Sequence, residues 1–197
     1  MTLIVSVLTA KGGTGKTTTA VYLAAALERN YSVEVWDSDP QATATTWAAM
    51  ATEDGDPLPF SVHPVSEREM DTRAASTDVV LIDTPPGNSK VMNAAARRSD
   101  VVIIPTAPKL WDLHQLWGTA DALGDIPIIV LVAQANTRTR AYREALEVLE
   151  EQKFAVFDAA IKFTQTIERQ SGTNPKKLGA YGDVALELMK LTKELGL

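Results

Sequence analysis

The segment Thr9-Ala10-Lys11-Gly12-Gly13-Thr14-Gly15-Lys16-Thr17-Thr18 constrains this chain more than any other, because it follows the apolar run Leu3 to Leu8 and opens a helical pattern at once. A strand, a glycine-rich loop and a helix in that order set the loop at a helix N-terminus, whose dipole favours anions. Gly12, Gly13 and Gly15 can adopt backbone angles closed to other residues, turning successive N–H groups inward toward phosphate oxygens. Lys16 then reaches the β and γ phosphates of a nucleotide, the Thr17 hydroxyl ligates the accompanying Mg²⁺, and Thr14 and Thr18 complete the phosphate-contacting run. Ala10 stands where the general pattern has its first glycine. Lys11 is a further departure, since phosphate loops in general need no lysine there.

The rest of the chain suits an α/β fold in a single domain over residues 1–197. Short β-rich apolar runs recur at Leu3 to Leu8, Val33 to Trp36, Phe60 to Val65, Val79 to Ile82, Val101 to Ile104 and Ile128 to Val132. Helical stretches are expected at Thr17 to Arg29, Ala42 to Ala51, Val91 to Arg98, Leu113 to Leu123, Arg140 to Gln152 and Asp183 to Leu195. Near-continuous apolar strands alternating with helices predict a mostly parallel, twisted sheet covered by helices on both faces. Ligands bind such sheets beyond the carboxyl ends of the strands, so functional residues are expected just after the apolar runs.

Two of those runs deliver carboxylates. The second ends in Trp36-Asp37-Ser38-Asp39-Pro40-Gln41, and a carboxylate beside a γ phosphate can orient an attacking water. Alone, such a segment is equally a turn in which Asp39 caps the next helix. The fourth run ends in Asp83-Thr84-Pro85-Pro86-Gly87, a Walker B pattern in which Asp83 holds Mg²⁺ through a water. The Pro-Pro-Gly segment then starts a loop able to sense the γ phosphate. Three such elements in this order predict nucleotide hydrolysis.

Composition narrows the classes. The chain has no cysteine, which excludes a disulfide framework, a thiolate zinc site and a thiolate-held iron–sulfur cluster. The longest apolar runs fall far short of the roughly 20 residues that cross a bilayer. No signal peptide is expected, and a cytoplasmic setting fits. The formal charge is −6, from 19 basic and 25 acidic residues, but it is uneven: residues 134–197 hold 10 basic and 9 acidic side chains. A polyanion surface is therefore expected in the last third. His63 and His114 lack a second metal-type ligand nearby and read as structural or exposed, while Trp36, Trp47, Trp111 and Trp117 read as core or interface residues.

The string Lys11 to Thr17 resembles the deviant Walker A motif of the ParA/MinD ATPases, and nearly the whole chain is similar to the short ParA form without an N-terminal helix-turn-helix. The resemblance implies ATP and Mg²⁺ as ligands and a homodimer in the ATP state, with Lys11 reaching the partner subunit's phosphates. It implies that Asp39 orients the catalytic water, that Asp37 supports the lysine and magnesium network indirectly, and that Asn136 falls near the adenine base. The turn Pro105 to Pro108 resembles a segment near the dimer interface. The short form binds DNA without sequence preference, at the nucleoid, and a centromere-binding ParB-like protein stimulates hydrolysis. Lys162, Arg169, Lys176 and Lys177 are the expected DNA contacts, with Arg138, Arg140 and Arg143 a second basic excess. A ParA-like ATPase positioning a protein cargo shares these motifs. A MinD-like membrane switch would need a basic amphipathic C-terminal helix; Asp183, Glu187 and Glu194 against Lys190 and Lys193 suit a core-packed helix instead, and no membrane partner is expected. Related amidoligases would need a substrate pocket whose polar set is not evident here.

Overall fold

The computed structural model describes residues 1–162 and 164–197; position 163, inside the basic 162–177 segment, lies outside the described residues. Among the described residues seven strands form one sheet in the order β3-β2-β4-β1-β5-β6-β7, and every pairing is parallel. The strands are β1 (Leu3–Val7), β2 (Val33–Asp37), β3 (Ser61–Pro64), β4 (Val79–Asp83), β5 (Val101–Thr106), β6 (Ile128–Val132) and β7 (Ala155–Val156). The helices are α1 (Lys16–Leu27), α2 (Thr43–Glu53), α3 (Glu67–Met70), α4 (Ser89–Arg98), α5 (Leu110–Leu123), α6 (Arg140–Glu151), α7 (Gln165–Arg169) and α8 (Tyr181–Glu194).

Side-chain alternation along buried strands sends successive residues to opposite faces, and both faces are covered. Val5, Val35, Leu81, Ile103 and Leu131 pack in one cluster with Leu23 of α1, Trp47 of α2 and Leu188 of α8. On the other face, Val102, Ile104 and Val130 join Leu113 and Leu116 of α5 and Leu149 of α6. Ile4, Trp36, Val80 and Ile82 join Met70 of α3 and Val91 of α4 on that side. The Tyr22 and Tyr181 rings, 5.1 Å apart, join α1 to α8, and their hydroxyl ends stay hydrogen-bonded within the core.

The α/β expectation holds, and the six apolar runs all carry strands. Three elements escaped sequence reading: β7, α3 and α7. Each spans two to five residues, too short for a periodic pattern to register. Among the described residues no helix is long and apolar enough to cross a membrane.

The position of β1 sets the site. From β1 the chain crosses to β2 and β3, returns to β4 beside β1, then passes to β5 on the other flank. The crevice beyond the carboxyl ends of β1, β2, β4 and β5 lies at this reversal, where doubly wound sheets bind ligands.

Candidate nucleotide site

The loop after β1 has the backbone its glycines permit. Gly13 and Gly15 sit at φ 74 and φ 90, left-handed values that side-chain-bearing residues adopt only with strain. Gly15 is the N-cap of α1, which has no acidic residue in its first turn, so nothing there competes with an anion for the free N–H groups. Lys16 is buried, and its ammonium donates to the Lys11 carbonyl at 3.0 Å. Burial lowers its pKa, opposed by the negative charges of Asp83 and Asp39. The lysine thus stands within electrostatic reach of two of the three carboxylates that the sequence singled out, Asp83 and Asp39.

Asp83 ends β4 in register with Val7 of β1 and Asp37 of β2. It is fully buried, and neither carboxylate oxygen has a hydrogen-bond partner among the described residues. Burial pushes its carboxyl up to about 7, with Thr17 and Lys16 pulling down and the charges of Asp37 and Asp39 adding to the rise. An orphaned carboxylate beside a hydroxyl and a phosphate loop fits a hydrated divalent cation, which would supply its missing partners. Among the described residues no group of three His, Cys, Asp or Glu side chains could hold a metal alone, so such a cation would depend on nucleotide phosphates for most of its shell.

The loops beyond β2 and β4 are tied to this centre. Ser38 donates from both its amide and its hydroxyl to the Asp83 carbonyl, at 2.9 and 2.6 Å. Thr84 donates to the Val7 carbonyl at 3.0 Å, and Gly12 lies against Pro86, so the Pro-Pro-Gly loop rests on the phosphate loop. Asp39 is half-buried and opens a tight turn in which the Ala42 amide donates to the Asp39 carbonyl at 2.7 Å. Ala42 closes that turn at φ 51, a conformation that costs a non-glycine residue about 1 kcal/mol. Asp37, expected to support the lysine and magnesium network indirectly, accepts from the Asp39 amide and from the Thr45 amide and hydroxyl.

Lys11 is held by an ion pair with Asp112, a buried carboxylate in the first turn of α5. The Pro105 to Pro108 turn therefore leads directly into the residue that restrains Lys11. Beside Asp112, Leu110 and Trp111 are 80% and 70% exposed, so Trp111 belongs to the surface while Trp36 and Trp47 belong to the core. His114 stacks on Trp111 and lies tilted against Trp117 on the outer side of α5, and His63 pairs with buried Glu34 at 3.5 Å, a structural contact.

On the flank away from Asp83, a cavity of about 340 Å³ extends from Gly13, Gly15 and Thr18 toward Gln134, Lys162, Thr164 and Tyr181. That size is within the range of small-ligand pockets. Gln134 has φ 53 and donates its side-chain amide to the Gly13 carbonyl at 2.7 Å, bracing the loop from β6. Asn136 lies farther out, in a shallower cavity with Gln134 and Lys162, and its side-chain oxygen accepts from the Arg138 amide. The four basic residues expected to contact DNA are exposed but do not form one patch with equal freedom. Lys162 borders the phosphate-loop cavity, Arg169 ends α7, Lys176 pairs with Asp56 at 2.9 Å, and Lys177 lies beside it.

The glycine loop, the buried lysine and the unpartnered Walker B carboxylate occupy one crevice, and residues 5–175 match the CobQ/CobB/MinD/ParA nucleotide-binding domain family, CbiA. The chain belongs to that family. Its fold is that of the ParA/MinD P-loop ATPases. A Borrelia burgdorferi B31 protein assigned to plasmid partition, solved with AMPPNP, superposes with a TM-score of 0.81 at 18% identity, covering 98% of this chain and 99% of that one. The septum site-determining protein MinD of Pyrococcus horikoshii OT3, solved with Mg-ADP, gives 0.77 at 21% identity over 98% of each chain. In sequence, 87 residues are 44% identical to the maintenance of carboxysome distribution protein A of Gloeobacter kilaueensis, a stretch covering 42% of this chain and 38% of that relative. Asp112, Gln134, Ser38 and Thr45 were not among the residues singled out from sequence. Asp112 left one weak signal, an acid shortly after a proline-bounded turn at a strand end.

Proposed function

We propose that this chain is a ParA-type ATPase of DNA segregation, which hydrolyses MgATP slowly and grips DNA without sequence preference in its ATP-bound dimer. The observation that carries the reading is Lys11. A second lysine stands at the mouth of the phosphate loop, additional to the buried Lys16, and its partner Asp112 is on the helix bearing the exposed Leu110 and Trp111. A cation restrained at the rim of the crevice suits a group that is handed to another subunit when ATP draws two crevices together.

The chemistry follows from the residues. Mg²⁺, held by Thr17 and through water by Asp83, would neutralise charge on the β and γ phosphates. Lys16 and the partner subunit's Lys11 would stabilise charge developing on the transferred phosphoryl group, while Asp39 orients the water. Phosphate contacts from Lys162, Arg169, Lys176 and Lys177 would give affinity that falls with salt. A ParB-like protein that stimulates hydrolysis would complete the cycle.

A second reading is positioning of a protein cargo on the nucleoid, favoured by the 44% identity to a carboxysome distribution protein. The first test is binding to a random-sequence duplex with ATP, ADP and no nucleotide across a salt series, for wild type and for a variant lacking the four basic side chains. ATP-dependent, salt-sensitive binding lost in the variant is expected. Absence of binding in every nucleotide state would overturn the DNA-gripping dimer. Capture of plasmid or chromosomal centromere complexes, against capture of a protein body, then separates partition from positioning.

A further inference from the structure

We propose that Thr45 is a positioning residue for hydrolysis, acting through Asp37 to fix the turn that carries Asp39. The inference rests on the reading of Asp39 as the water-orienting group. It starts from an unusual helix start. The N-cap of α2 is Ala42, which has no side chain to accept from the free N–H groups of the first turn. The missing acceptor comes from outside the helix. Asp37, buried at the last position of β2, accepts from the Thr45 amide at 2.8 Å and from the Thr45 hydroxyl at 2.7 Å with one carboxylate oxygen. Its other oxygen accepts from the Asp39 amide at 3.2 Å.

One carboxylate thus joins the strand end, the hydrolytic turn and the first turn of α2. Between these points the chain is closed on itself: Asp39 Oδ1 accepts from the Gln41 amide at 2.9 Å, and Ala42 holds its left-handed angle. That arrangement leaves Asp39 Oδ2 as the oxygen available to a water. The Thr45 hydroxyl is the only side-chain donor to Asp37 among the described residues, and a charge-assisted bond of this kind is stronger than a neutral one. Without it the Asp37 carboxylate is held on that side by the Thr45 amide alone, and the anchor of the Asp39 backbone is loosened.

The test is steady-state ATP hydrolysis with Mg²⁺ by the full chain, comparing wild type with Thr45→Val, Thr45→Ser and Asp39→Ala. Thr45→Val keeps the side-chain shape and removes the donor; kcat is expected to fall about tenfold with the KM for ATP within about twofold, since only the geometry of attack is disturbed. Thr45→Ser restores the hydroxyl and should return kcat to within about twofold of wild type. Should Thr45→Val fail to fold, Thr45→Ala, the better helix former, carries the same expectation. A wild-type kcat in the variant lacking the hydroxyl overturns the proposal, as does a serine variant no faster than the valine one. If Asp39→Ala itself hydrolyses at the wild-type rate, the role of Asp39 fails and the positioning of its turn fails with it. An inactive Asp39→Ala beside a fully active Thr45→Val falls on Thr45 alone.

Discussion

The two halves of the sheet's carboxyl edge are built differently. Beyond β1, β2 and β4 the ligand-facing groups are ionisable, wholly or half buried, and close together: the charges of Asp83 and Asp39 bear on Lys16, those of Lys16 and Asp39 bear on Asp83, and Ser38 and Thr84 tie the three strand ends by hydrogen bonds. Beyond β5, β6 and β7 the groups reach back over long distances. Asp112 holds Lys11, Gln134 braces Gly13, and the basic side chains stay exposed. The first half holds an arrangement in which small displacements change the chemistry. The second holds contacts that can be exchanged without dismantling the core, as suits the proposed meeting with a base, a second subunit or a polyanion.

The largest expected effect tests the first half. Lys16→Ala removes the only ammonium among the described residues that is buried against the phosphate loop, and ATP affinity should fall by about 100-fold or more, about 3 kcal/mol, in a fluorescent-nucleotide titration. Wild-type affinity would break the assignment of the loop. Next, Asp39→Ala should bind ATP normally yet hydrolyse it about 100-fold more slowly in single turnover, because the role proposed for it is to act on the water and not on the nucleotide.

Asp83 sharpens the contrast through stability. Its carboxyl is raised by burial, so the fold favours the neutral form; that contribution is complete below the ordinary value near 3.8 and is lost as pH rises through about 7. Without nucleotide and Mg²⁺, the melting temperature of wild type should therefore decline between pH 5 and pH 8 more than that of Asp83→Asn. The same variant should lose the Mg²⁺ dependence of nucleotide binding. Equal pH profiles would mean that the carboxylate finds partners in solution.

The smallest effects belong to the second half. Arg169→Ala and Lys177→Ala should each weaken DNA binding evenly across sequences and lower the salt slope by about 1. Lys176→Ala should do less, since its ammonium is already paired with Asp56. Equal losses from all three would show that the Asp56 pair yields to phosphate.

Much of the first half was legible because its residues follow β-branched runs directly: an Asp after Val79 to Ile82 lands in the crevice wherever that run forms a central strand. The second half was less so. Asn136 lies at the expected strand end but faces a shallower cavity, and Gln134, two positions earlier, is the residue that touches the loop. A left-handed backbone at Gln134 aims that side chain, and no propensity rule predicts it for glutamine.

Sequence alone determined the order of strand, phosphate loop and helix, the two carboxylates at strand ends and the parallel α/β class, because each depends on residues adjacent in the chain or on a period of a few residues. Tertiary structure decided the rest. Lys11 meets Asp112 across 101 positions and Gln134 meets Gly13 across 121. Lys176 is partly withdrawn from the basic surface by Asp56, 120 positions away. Such pairings depend on which strands lie side by side and on loop closure over long separations, to which local pattern is blind.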